Sequence, residues 1–435
     1  MGPYGIIYHI FYDGQSNLLT FPISCYILLY MIDSGTGASV EKNEVAAVEE
    51  AVRLAKTKKI NKEKIDLAFA FHSSEFSATV ITKTLSALLP GVPVIGGNAS
   101  GFFSRQNLYK RGVIVMLITF PEGVYFTTGD INDISSSGAL TSGEQMGEKL
   151  LYGFKNVPRN LAFLIFDRFI HDNLNFIGGL QERLGKSFPC IGAALTNPEE
   201  GAKRGGLLCN SGIMRDACAG ILFGGKLGFG LGLRHGWKPL GKPHSVTAVS
   251  DNVIHTIDGQ PAVQLYEEYL AYDFPRIQKE LKNLSVLYPI GIRIPGQDEY
   301  LLRSIQAINS DGSLVCLGSV PEGSITRLMI STKETCLEAT RAAIEDAKKN
   351  LGAQAVKFHK EKPSKLVIVF DSFNRSQSLG KDLRTEVKII SEAFEPETGI
   401  IGINSFGEIA PLSTQSYHGQ TYFQNQMISI LILEG

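Results

Sequence analysis

Polar side chains collect at the ends of short apolar runs in this chain. Ile65–Phe71 stops at His72-Ser73-Ser74, and Val92–Ile95 leads through two glycines to Asn98 and Ser100. Leu161–Phe166 stops at Asp167, and Leu366–Phe370 stops at Asp371-Ser372, with Arg375 shortly after. Gly399–Ile401 leads into Asn404-Ser405 and then Glu408. If the runs are parallel strands, these residues stand outside strand carboxyl ends, where open α/β sheets bind ligands. Arg375 can hold a carboxylate through two parallel hydrogen bonds. Glu408 or Asp371 can hold an amine, while Ser372, Ser405, Asn404, Asn98 and Ser100 fix orientation. That set suits a small zwitterion. His72 ends a run and His418 follows a glycine turn, so both join the candidate ligand-binding residues. The competing reading is that Asn and Ser satisfy turn backbone and that buried charges only find structural partners.

These positions are produced by one order of elements, used three times. After a helical stretch from Glu44, the strand at Ile65–Phe71, a helix over roughly 76–89 and the strand at Val92–Ile95 end in the turn beginning at Gly96. Leu161–Phe166, a helix at Asn173–Leu184 and Pro189–Ile191 repeat the order and reach Gly192. Leu366–Phe370, a helix at Leu383–Phe394 and Gly399–Ile401 repeat it again and reach Gly402. Unbroken apolar runs flanking helices indicate parallel strands covered on both faces. The expected fold is α/β, with repeated βαβ units and mixed sheets in two domains. Between the second and third copies lies a different region. There Asn309-Ser310-Asp311-Gly312 reads as a hairpin turn, and a long helix covers Thr332–Leu351, with Gly352 as its expected end. The basic stretch Lys357–Lys365 reads as a solvated linker.

Composition excludes several classes. Apolar residues make up 44% of the 435, enough for packed cores and against general disorder. Lys plus Arg number 42 against 43 Asp plus Glu, so no basic excess points to nucleic acid. Six cysteines without C-x-x-C spacing make neither a disulfide scaffold nor a zinc site; they read as buried apolar groups in a reducing, cytoplasmic compartment. The apolar stretch Leu18–Ile32 is shorter than the ~20 residues a membrane span needs, so no membrane contact is expected. No Lys or Arg precedes Lys42, so no signal peptide is indicated. Ordered periodicity begins just after Met31. A start of translation there would make residues 1–30 a non-native extension, and a native intact mass beginning at Met1 would refute it.

Familiar catalytic motifs fail on inspection. Gly179–Ser187 is one residue too long for a P-loop and sits at the end of a helix rather than the start of one. Gly228, Gly230 and Gly232 lack the third glycine of a dinucleotide fingerprint and read as small residues in a crowded strand. No nucleophile elbow occurs, nor paired histidines at metal-ligand spacing.

The stretch DNVIHTIDGQPAVQLYEEYL at Asp251–Leu270 resembles the opening of the C-terminal half of FIST proteins, the F-box and intracellular signal-transduction family. Tyr300–Ile330, with Arg303 and the turn Val320-Pro321-Glu322-Gly323, continues the likeness. So do Ser372-Phe373-Asn374-Arg375, Leu379-Gly380, Glu386 and Gly407–Pro411. Residues from about Asp33 to Leu233 resemble the N-terminal half. The resemblance implies an N-terminal FIST-like domain over 31–240 and a C-terminal one over 241–435. It also implies a sensory pair that binds a small ligand, such as an amino acid, and reports to a signalling partner such as a kinase or cyclase. Some members resemble haem-based gas sensors. The family tends to have Cys where Ser372 stands and His-Asn where His418-Gly419 stands.

The expectation is thus a non-catalytic, cytosolic small-ligand sensor without a cofactor, acting through a partner protein. A haem-binding gas sensor, an enzyme using Asp167, Asp371 or Glu408 as acid or base, and a ligand-free scaffold are the alternatives.

Overall fold

The computed structural model describes residues 31–57, 64–105, 107–154, 156–168, 173–196, 206–210, 212–297, 299–354, 364–412 and 421–435. The N-terminal extension, most of the basic stretch before Lys365, and His418 lie outside the described residues.

Three units share one plan. The first runs β1 (Asp33–Ser39), α1 (Glu44–Lys56), β2 (Leu67–His72), α2 (Ala78–Leu88), β3 (Val94–Asn98), the hairpin β4 (Phe102–Ser104) and β5 (Leu108–Tyr109), then β6 (Val113–Thr119). The second runs β7 (Val124–Ile131), α3 (Ile134–Ser137), α4 (Ala139–Leu151), β8 (Arg159–Arg168), α5 (Asn173–Leu184), β9 (Cys190–Thr196), the hairpin β10 (Leu207–Cys209) and β11 (Gly212–Met214), then β12 (Cys218–Gly225). The third opens with β13 (Gly228–Arg234) and is interrupted by an insertion. That insertion holds β14 (Lys238–Ser250), β15 (Val253–Ile257), β16 (Gln260–Pro261), α6 (Gln264–Leu270), α7 (Phe274–Leu287), β17 (Ile290–Arg293), β18 (Tyr300–Arg303), β19 (Ile305–Ile308), β20 (Leu314–Cys316) and β21 (Ile325–Ile330). The unit resumes with α8 (Lys333–Gln354), β22 (Lys365–Ser372), α9 (Phe373–Leu379), α10 (Leu383–Glu392), β23 (Gly399–Ser405), the hairpin β24 (Gly407–Pro411) and β25 (Thr421–Gln424), and β26 (Ile428–Glu434).

Each unit contributes a six-stranded mixed sheet with a parallel pair near its middle: β2 with β3, β8 with β9, β22 with β23. The hairpins do not stay at home. β4–β5 joins the third unit's sheet beside β23, β10–β11 joins the first beside β3, and β24–β25 joins the second beside β9. The exchange is cyclic, so every sheet is completed by another unit. The inward faces of the three parallel pairs meet in one core holding Phe69, Phe71, Phe163, Ile165, Ile191, Ile368, Phe370 and Ile403. Phe163 bridges units, with its ring centroid 5.1 Å from Phe69 and 5.7 Å from Phe370. Outer faces bury against the amphipathic helices, as α1 shows with Ala47, Val48, Ala51, Val52 and Ala55 inward. Its start is fixed by Asn43, whose side chain accepts the Ala46 amide at 3.0 Å.

Three expectations need correction. Gly96, Gly192 and Gly402 do not form turns: each lies inside its strand. They are glycine because a β-carbon would sit 1.7 Å from the Ala70 carbonyl, 1.8 Å from the Leu164 carbonyl and 2.0 Å from the Phe103 ring. Gly352 does not end its helix, which runs on to Gln354. The helix read at roughly 76–89 begins at Ala78. By contrast, the crowded-strand reading of the 228–232 glycines holds. A β-carbon on Gly230 would lie 2.0 Å from the Ala347 carbonyl, and one on Gly232 1.7 Å from that of Ala343, because α8 lies directly on β13. Gly179 of the failed P-loop is a helix–helix contact, 2.1 Å from the Leu140 carbonyl by the same measure.

The insertion is largely antiparallel, with its own core around Ile254, Tyr266, Ile277, Ile290, Leu301 and Leu328. The expected hairpin is present as β19 paired with β20.

Exchanged hairpins should tie the halves into one cooperative unit. Calorimetry of residues 31–435 is expected to show a single unfolding transition, and residues 31–240 made alone should lack native near-ultraviolet dichroism. Two separate transitions would show that the halves stand alone.

Candidate functional site

In the parallel register of β22 and β23, Asp371 stands beside Asn404 and Ser372 beside Ser405. Directly outside these carboxyl ends lies a cleft of 720 Å³. Ser372, Ser405, Phe373 and Asn374 form its floor, Ser304, Gln306 and Asn425 stand in its wall, and α7 supplies the roof through residues including Leu281 and Ser285. Phe373 and Phe406 pack with ring centroids 4.9 Å apart at its edge.

The roof is an ordinary amphipathic helix. Asp273 caps it by accepting the Arg276 amide at 3.0 Å, and a proline occupies its first turn. Two bonds lock it to the wall. Ser285 Oγ accepts the Ile305 amide at 2.9 Å, and the Ser285 carbonyl accepts from Gln426 Nε2 at 2.8 Å. Gln426 is left-handed, with φ 58°, a conformation that non-glycine residues adopt at a cost. Its neighbours fasten the floor. The Met427 amide donates to Glu408 Oε2 at 3.3 Å, and the Ser372 amide donates to the Met427 carbonyl at 2.9 Å.

Below the floor sits a charged cluster sealed from water. Arg375 is fully buried on α9. Its Nη1 donates to Glu386 Oε1 at 2.6 Å and lies 3.5 Å from Asp371 Oδ1, while Nη2 donates to Thr340 Oγ1 at 2.7 Å and to the Cys336 carbonyl. The guanidinium is therefore engaged by α8 and α10 and does not line the cleft. Burial and the adjacent Glu386 push the Asp371 carboxyl well above its ordinary range. Glu408 is buried too, accepts the Ser405 hydroxyl at 2.6 Å, and is pushed by burial from 4.5 up to about 8, against the pull of that hydroxyl bond. Asn404 donates its amide to the Gly101 carbonyl at 2.9 Å, tying β23 to the exchanged hairpin of the first unit.

The other predicted residues lie apart from the cleft lining. His72 and Asn98 face each other in the β2/β3 register. Burial lowers the pKa of the His72 ring, whose Nδ1 lies 3.1 Å from the Ser73 carbonyl. Ser100 is exposed. Asp167 serves the backbone, accepting the amides of Asp216 and Ala217 at 2.7 and 3.2 Å. None of the described histidines lines the cleft. Among the described residues no group of three or more His, Cys, Asp or Glu could hold a metal ion.

Sequence reasoning passed over α7, Ser304 and Asn425. The first had a signal: Asp273 as cap, a proline after it, and Ile277, Leu281 and Leu284 at helical spacing. Asn425 carries no local signal, since its role comes from Ser304, 121 residues away in sequence.

Residues 66–260 match the model of the FIST N domain, and residues 262–411 match that of the FIST C domain. An uncharacterized protein of Methanocaldococcus jannaschii is 24% identical over 278 residues, 59% of this chain and 51% of that protein. The chain thus spans about half the length of that relative. Among solved structures, a cyanuric acid hydrolase from A. caulinodans aligns over 93% of this chain and 98% of its own, at 9% identity and a TM-score of 0.35. A second cyanuric acid hydrolase structure aligns over 93% and 99%, at 10% identity and 0.32. These neighbours are enzymes, which overturns the expectation of a chain without catalytic activity. The likeness is too weak to carry an argument for any particular reaction. Among the described residues no helix is long and apolar enough to cross a membrane.

Two outcomes follow from the cluster. Glu386→Ala would strand Arg375 without its closest acid and should cost about 3–5 kcal/mol in urea unfolding. Glu408 holds its proton more tightly in the folded chain, so its contribution is full below pH 4.5 and is lost as pH rises toward about 8. The stability difference between wild type and Glu408→Gln should change across that window by up to about 1.4 kcal/mol per pH unit, and a flat difference would refute the raised carboxyl.

Proposed function

Since the chain belongs to the FIST family, whose domains are generally sensory and bind small ligands for signalling, we propose that it senses a small molecule in the cleft above β22 and β23. One observation carries this reading: a 720 Å³ recess stands at the carboxyl ends of a parallel pair, floored by hydroxyls and an amide and edged by an aromatic pair. Ser372, Ser405, Asn374 and Asn425 would touch the ligand. Asp371, Arg375, Asn404 and Glu408 would set the floor from below.

Transmission follows from the roof. α7 belongs to the insertion and the floor belongs to the third unit, so a ligand touching both favours one spacing between them. Only a ligand with unequal affinity for two arrangements shifts their balance. The response would pass to a signalling partner such as a kinase or cyclase. The five described cysteines are buried, in keeping with a reducing cytoplasmic setting.

Native mass spectrometry of the full chain, purified from its own host, should release one small molecule on denaturation. Gln377→Trp fills the mouth from an exposed helix position and should abolish that release while leaving the melting temperature of the empty protein within a few degrees. Retention of the same molecule by the Trp variant would place the ligand elsewhere and defeat the proposal.

A further inference from the structure

Arg303 is fully buried, and among the described residues it forms no ion pair. Among the described residues its guanidinium donates to carbonyls: Nε to Ser319 at 2.9 Å, and Nη1 to Leu302 at 2.9 Å and Phe423 at 3.1 Å. It is packed so closely under Gly318 that a β-carbon there would lie 3.0 Å from Cζ. Burial lowers its pKa only to about 10, so the side chain stays charged at neutral pH. A buried cation without a counter-charge is expensive, because its lost hydration is not repaid. Such a group needs a reason.

The adjoining wall supplies one. The Ser304 amide donates to Asn425 Oδ1 at 3.1 Å, which fixes the orientation of that carboxamide. Asn425 Nδ2 is then a buried donor without an acceptor, on a residue that lines the cleft and is 2% exposed. The same segment of chain holds both features, since Arg303 binds the Phe423 carbonyl and Ser304 binds Asn425. The remaining charges do not cancel Arg303. Arg375 is matched by Glu386 at 2.6 Å, and burial drives Asp371 and Glu408 toward their neutral forms. At the rim, Glu280 is paired with Arg276 at 3.2 Å.

We infer that the cleft takes a small organic anion, one carboxylate or phosphate oxygen of which accepts from Asn425 Nδ2 on the wall backed by Arg303. The apolar body of the molecule would lie along Phe373 and Phe406. The assignment rests on the cleft being the ligand site. Arg375, which Glu386 already occupies, is not the recognising group; Asn425 is, and Arg303, which does not itself line the cleft, contributes only the field of a buried positive charge behind the wall.

Thermal-shift and calorimetric titration of the full chain test it with matched probes: benzoate against benzamide, succinate against succinamide, and inorganic phosphate. At least one anion should raise the melting temperature saturably while its amide counterpart does not. The phosphate and carboxylate arms separate the two anion chemistries. Asn425→Asp keeps an oxygen toward the Ser304 amide but replaces the free donor with a negative charge, and should weaken the responding anion at least about tenfold. Amides stabilising as well as the anions, or no anion acting, overturns the inference; the comparison of isosteres on wild type decides even if the variant fails to fold. An anion response that persists in Gln377→Trp instead removes the cleft itself as the site. Loss of both amide and anion responses in that variant keeps the cleft and leaves the isosteres to decide the charge.

Discussion

Cyclic exchange of hairpins is the constraint from which the rest of the structure follows. Each six-stranded sheet needs a hairpin from another unit to complete its order, so no sheet can form before the chain has contributed from elsewhere. The three parallel pairs then have only one apolar volume to share, and Phe69, Phe163 and Phe370 meet in it. The cleft is a by-product of the same exchange. β24 and β25 leave the third unit for the second unit's sheet, and the chain must return from β25 to β26 through Asn425, Gln426 and Met427. That return makes the wall, ties the roof and pins the floor. Gln426 bears left-handed backbone there because Ser285 and Ser304 hold its side chain from both sides.

Much of this was visible in the residues. Apolar runs of strand length separated by helical spacing gave three βαβ units, and the rule about strand carboxyl ends found Ser372 and Ser405 at the cleft floor. The rule also selected Asp167, which accepts two backbone amides, because a carboxylate at a strand end looks the same whether it faces a ligand or two amides. The glycines at 96, 192 and 402 read as turns because sequence shows flexibility but not proximity; they are glycine for lack of room. Arg375 reads from the sequence as the holder of a ligand carboxylate, whereas the structure buries it on α9 outside the cleft lining. Its partner, Glu386, lies on α10, and only the packed structure shows that this acid already fills the place of a ligand carboxylate. The roles of Asn425 and Arg303 were illegible for a related reason. Both are defined by which hydrogen-bonding capacity is left over, and leftovers are known only after every tertiary partner is counted.

The buried polar cluster gains its meaning from imbalance. Three acids and one arginine beneath the floor cannot all be ionised in a water-free space. Glu408 and Asp371 answer by tending to keep protons, and Arg375 is left with Glu386. The Ser405 hydroxyl, buried just beneath the cleft, then has its proton directed to Glu408. The arrangement makes the floor a polar surface whose hydroxyl orientation is set from behind.

The insertion between β13 and α8 holds a final consequence. Both flanking elements are clamped to each other through glycines, so the framework closes without regard to what hangs between them. Yet the inserted lobe is what covers the recess. Substitutions in the stretch from β14 to β21 can therefore reshape the cover of the recess while the three-sheet scaffold underneath stays unchanged.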